Sequence, residues 1–69
     1  MYDFKYIMIT HYMVKIKDDC NIEGENILKA KNYYFTEDFS YMINDFIEEN
    51  EKRGAKIEKE HIILYEYRI

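Results

Sequence analysis

FKYIMITHYMVKI, residues 4–16 of a 69-residue chain, is apolar on both of its alternating faces. A strand covered on one side alternates apolar and polar residues, whereas one covered on both sides reads as a nearly continuous apolar run. The stretch therefore predicts a central strand with two faces to bury. The rest of the chain predicts a single helix, which covers one face of a sheet and leaves the other for something else.

Downstream of Lys17, DDCNIEGEN (18–26) reads as a polar connection with turn formers at both ends. A second strand is expected from Ile27 to Phe35. Thr36 is the expected N-cap of a helix, with Glu37 and Asp38 suited to the positive end of its dipole. Phe39, Met42, Ile43, Phe46 and Ile47 recur at intervals of three and four and fall on one stripe. Tyr41, Asn44, Asp45, Glu48 and Glu49 fill the other side. Lys52 and Arg53 complement the C-terminal end, and Gly54 supplies a residue able to take the left-handed stop. HIILYEYRI, residues 61–69, reads as a third strand.

The order strand, strand, helix, strand restricts the topology. A hairpin followed by a helical crossover sets the third strand parallel to the second and antiparallel to the first. The expected fold is α+β, a single small domain over residues 1–69: a three-stranded antiparallel sheet of order 2-1-3, ββαβ, with one helix packed on one face. Two assignments of the faces are open. One parity gathers Phe4, Tyr6, Met8, Tyr12, Val14 and Ile16 with Ile63, Tyr65, Tyr67 and Ile69. The other carries Ile7, Ile9 and Met13 with Ile62, Leu64, Leu28 and Ala30, and this Ile and Leu layer is placed under the helix by a narrow margin. Either choice leaves large apolar side chains on the uncovered face, a patch that soluble monomers seldom display.

A single core of this size supplies only about 3 to 5 kcal/mol of net stability, so oligomerisation would help. The one cysteine makes no intramolecular disulfide, and two histidines do not complete a structural zinc site with it. Cys20 suits a reducing compartment. The start of the chain has no basic leader, and its apolar stretch is broken by Lys5, Thr10, His11 and Lys15. Neither a signal peptide nor a membrane span is expected, which places the protein in the cytoplasm. Ile, Lys, Asn, Tyr, Phe and Met have AT-rich codons and dominate the composition, as in a low-GC bacterium or its phage. Residues 1–36 carry five acids against five bases and residues 37–69 nine against five, so the net charge of −4 lies in the second half. An acidic surface repels phosphates and steers basic partners inward.

No catalytic or cofactor motif stands out. Asp19-x-Asn21-x-Glu23-Gly24 matches the first half of a calcium-binding loop, but the closing position is Ala30, inside an expected strand, so no metal is assigned. His11 and His61 would approach each other if strands one and three pair, yet spacing supplies no base and orienting group to make a nucleophilic site. Cys20 sits in an acidic loop that disfavours its thiolate. The expectation is a non-enzymatic protein with no cofactor.

Two surfaces are candidates for contact. The acidic helix face, Asp38, Asp45, Glu48, Glu49 and Glu51, forms a spaced anionic row that would engage a protein partner with a basic surface. Such a row suits a phage or mobile-element inhibitor of a host nucleic-acid-binding enzyme, the functional class of which anti-CRISPR proteins are an example. The sheet face carrying Tyr6, Met8, Tyr12, Tyr33, Tyr65 and Tyr67 is the expected dimer or partner interface, since tyrosine gives large contact area for little rotamer entropy. A homodimer would complete the missing half of the core, through this face or through the edge of strand two or three. The alternative is a single-stranded nucleic acid module stacking bases on the tyrosines, with Lys29 and Lys31 beside them. Net acidity counts against it.

Overall fold

The structure, a computed structural model, describes residues 10–34 and 37–68. Strand β1 (Thr10–Ile16) pairs antiparallel with β2 (Ala30–Tyr34) on one side and with β3 (Ile62–Arg68) on the other, giving a sheet of order β2-β1-β3. Helix α1 (Phe39–Lys52) crosses between β2 and β3, and a short 3-10 turn, Lys59–His61, leads into β3. The fold is the expected α+β one, with the oiliest strand at its centre. Residues 4–9 of the apolar run lie outside the described residues.

The helix starts two residues later than its sequence suggests. Asp38, in extended backbone, is the N-cap: its Oδ1 accepts from the Tyr41 N–H at 3.0 Å. Thr36 lies outside the described residues. At the other end the Asn50 carbonyl accepts from Arg53 N–H at 3.0 Å and Ala55 N–H at 2.9 Å, while Gly54, at φ +92°, takes the left-handed turn expected of it.

Val14, Met42 and Phe46 are wholly buried, with Ala55 and Ile57 beside them. Tyr12, Ile16, Tyr33, Ile62 and Leu64 of the sheet pack around this centre. The side facing the helix is therefore Tyr12, Val14 and Ile16 of β1 with Tyr33 of β2 and Ile62 and Leu64 of β3. Neither face assignment drawn from the sequence has this composition. Thr10 sits opposite Arg68 and Ile16 opposite Ile62, so residues of like parity in β1 and β3 share a face. A slip of one residue in that pairing exchanges the faces of a whole strand, and the crossover, unlike a tight hairpin turn, does not dictate register. Ile62 and Leu64 are under the helix as expected, but their neighbours there are Val14 and Ile16, not Met13. Ile7 and Ile9 lie outside the described residues.

Strand β2 begins later than the expected Ile27, and the segment before it is fastened to the helix. Asn50, wholly buried, accepts the Leu28 N–H on Oδ1 at 2.7 Å and donates from Nδ2 to the Phe46 carbonyl at 3.0 Å. Leu28 thus turns its donor to α1 and away from β1. Ile22, Ile27 and Leu28 of the connection close over the core. The connection is clamped again at Gly24, whose φ is +140° and whose absent Cβ would lie 2.8 Å from Ala55 Cα and 2.9 Å from Ala55 Cβ. The glycine of the calcium-like motif is thus required by packing.

Asn50→Ala leaves the half-buried Leu28 donor without its partner, so the expected loss is about 1 to 3 kcal/mol. Urea denaturation checks this as a lowered midpoint at constant slope. Gly24→Ala is expected to destabilise more than Gly54→Ala, because the first adds a backbone collision to the φ strain while Gly54 has nothing within 4 Å of the added methyl. Melting temperatures of the two variants decide it; equal losses would show that the Ala55 contact contributes nothing.

Candidate functional site

Strand alternation sends His11, Met13 and Lys15 of β1 away from the helix, and the register sets three rows across that face. His11 lies between Tyr34 and Tyr67, Met13 between Asn32 and Tyr65, and Lys15 between Ala30 and Ile63. Tyr34 is 60 % exposed, Tyr65 41 % and Tyr67 42 %, so no layer of the described residues covers them. The side chains nevertheless order one another. The His11 ring meets Tyr34 edge-on with centroids 4.0 Å apart and Tyr67 at 6.4 Å. Tyr67 donates its hydroxyl proton to Met13 Sδ at 3.3 Å, and Lys15 Nζ stands 5.9 Å from the centre of the Tyr65 ring. His11 Nε2 is buried there and meets no hydrogen-bond partner among the described residues. Among the described residues the three rows contain no carboxylate. Lys15, the lysine of those rows, brings a carboxylate of its own, its Nζ lying 3.2 Å from Asp18 Oδ1.

This arrangement divides the tyrosine set expected to form one interface. Tyr65 and Tyr67 are on the open face, whereas Tyr12 and Tyr33 are under the helix, Tyr12 with its ring edge-on to Phe39 at 5.3 Å. Tyr6 and Met8 lie outside the described residues. In the place of the buried tyrosines the open face holds His11, Met13, Lys15 and Tyr34, which the sequence reading missed, beside Ile63, which it had grouped with Tyr65 and Tyr67. Grouping the aliphatic residues Val14, Ile16, Ile62 and Leu64 as one core layer would have supplied the signal.

The acidic helix face is divided too. Asp38 is occupied in capping the helix. Asp45 Oδ2 accepts from Lys31 Nζ at 2.7 Å and from the Tyr33 hydroxyl at 2.5 Å, and Glu49 Oε2 accepts from the same Lys31 ammonium. Lys31 and Tyr33 are thus drawn from β2 toward the helix, and neither stands beside the exposed tyrosines. Only Glu48 and Glu51 of the five remain as plain exposed acids. The anionic row is broken by a clamp between β2 and α1.

The two histidines are held apart. His61 Nδ1 accepts from the Glu58 N–H at 3.0 Å, and its carbonyl accepts from Lys17 N–H at 2.8 Å, which places it at the opposite end of β1 from His11. Six strand residues separate the two positions, roughly 20 Å, so they do not form a joint site. No group of three or more His, Cys, Asp or Glu side chains is disposed to hold a metal ion among the described residues, and no helix there is long and apolar enough to cross a membrane. No protein-family model, curated protein or solved structure matches the chain.

The clamp carries a pH dependence. Hydrogen bonds from Lys31 and then Tyr33 hold the Asp45 carboxyl below its ordinary 3.8, so its contribution is present above that value and is lost as pH falls through the lowered one. Hydrogen bonds to Asp45 and Glu49 push Lys31 above 10.5, and burial followed by the Asp45 hydrogen bond pushes the Tyr33 phenol above 10.0. Both contributions are complete below those ordinary values and disappear as pH rises through the raised ones. Stability against urea is therefore expected to be level near neutrality and to fall below about pH 4 and above about pH 10. Asp45→Asn should flatten the acid limb; an unchanged limb would assign it to other carboxylates.

Proposed function

We propose that this chain acts by contact and not by catalysis, as a small acidic interaction module whose open sheet face is closed by a second copy of itself. The observation that supports this is the exposure of Tyr34, Tyr65 and Tyr67 together on a face whose described rows hold no carboxylate. Two such faces meet without like-charge opposition, because Lys15 enters with Asp18 already beside it. Aromatic and Met side chains are those enriched where protein surfaces join, and a chain this short gains stability from the added burial. In the pair, the two helices face outward and present Glu48 and Glu51. A basic partner, such as a nucleic-acid-binding enzyme, would meet the module there.

Light scattering at micromolar concentration is expected to give a dimer mass, and Tyr65→Glu with Tyr67→Glu to give a monomer with an unchanged far-UV circular dichroism spectrum. A wild-type monomer at high micromolar concentration would overturn the proposal. Salt-sensitive binding of single-stranded DNA, abolished by the same pair of substitutions, would instead assign the face to base stacking.

A further inference from the structure

A second surface lies at the end of the sheet where β1 runs into the connection. Met13, Ile16, Ile22 and Ile27 form an apolar floor there, and Lys17 and Lys29 stand at its rim beside the Lys15–Asp18 ion pair. The rim is cationic in a chain whose net charge is −4, and neither ammonium meets a carboxylate among the described residues. Lys31, by contrast, is neutralised by the helix, so Lys29 and Lys31 differ in what they offer a partner. The groove also borders a free strand edge. Ile16 N–H donates to the Lys29 carbonyl, while the neighbouring Leu28 donor points away from β1 to Asn50. By the alternation of an antiparallel ladder, the backbone groups of Ala30, Asn32 and Tyr34 then face outward, where no strand of the described residues pairs with them.

We infer that this groove and the outer edge of β2 together dock an extended acidic peptide segment of a partner protein, added as a fourth strand. Its backbone pairs with the free edge at Ala30 and Asn32, its apolar side chains enter the Met13 and Ile22 floor, and its carboxylates meet Lys17 and Lys29. Main-chain pairing supplies affinity in this mode and the side-chain subsites supply specificity. The site adjoins the tyrosine face at Met13, but its two lysines lie outside the rows that carry Tyr34, Tyr65 and Tyr67.

The probe is a short, blocked, fluorescein-labelled peptide alternating Leu and Glu, compared with one alternating Leu and Lys by fluorescence anisotropy. The acidic peptide should bind saturably and at least about tenfold more tightly, with affinity falling as salt rises. Lys17→Glu with Lys29→Glu should remove that preference, Lys17→Arg with Lys29→Arg should keep it, and amide resonances of Ala30 and Asn32 should shift on binding. The inference is overturned by equal binding of the two peptides, by an affinity indifferent to the charge reversals in a folded variant, or by tighter binding of single-stranded DNA at the same lysines. It is overturned equally if those reversals dissociate a dimer, since a second copy would then occupy the edge.

Discussion

The fold depends on one buried amide. Asn50 sits on the helical stripe that carries Met42 and Phe46, and its side chain spends its oxygen on the Leu28 N–H and its nitrogen on the Phe46 carbonyl. A buried amide without partners costs more than its hydrogen bonds return, so the two partners must approach together. Leu28 is thereby held to the end of α1, and with it the connection whose Ile22 and Ile27 close the core. The same residue's carbonyl receives Arg53 and Ala55 and so ends the helix. Ala55 then lies against Gly24, where any side chain on the connection would collide. Helix end, loop and strand start are fastened at a single place.

A second fastening lies one strand residue beyond the start of β2. Lys31 and Tyr33 reach across to Asp45 and Glu49, which lie one helical turn apart and converge on a single ammonium. Partly exposed ion pairs are individually weak. Their consequence here is chiefly one of surface chemistry, because they withdraw two acids from the helix face and two side chains from the sheet face. What is left for contact is therefore not what composition suggests: Glu48 and Glu51 on the helix, a neutral aromatic patch on the open face, and unneutralised lysines at the end of the sheet.

Much of the architecture was legible in the sequence. The helix stripe, the left-handed stop at Gly54, the oily central strand and the strand order all followed from local periodicity and chain geometry. Two boundaries moved: Asp38 provides the cap described at the N-terminus, and β2 begins at Ala30, with the preceding Leu28 held by Asn50. The contact surfaces were less legible. Tyr65 and Tyr67 were placed correctly on an uncovered face, but Tyr12 and Tyr33 were grouped with them when they pack under the helix. Asp45 and Glu49 were read as part of a partner-binding anionic row because they fall on the polar side of the helical wheel, and the wheel does not show that a lysine in β2 lies within reach.

By itself, the sequence determined which elements form, their order and the surplus of apolar surface over what one helix can cover. Those properties are set by residues a few positions apart, through the periods of helix and strand. Tertiary structure alone decided which side chains make up the uncovered face and which charges remain unneutralised. Both depend on the register between β1 and β3 and on the approach of β2 to the helix. Pairings between residues tens of positions apart are specified only when the whole core closes.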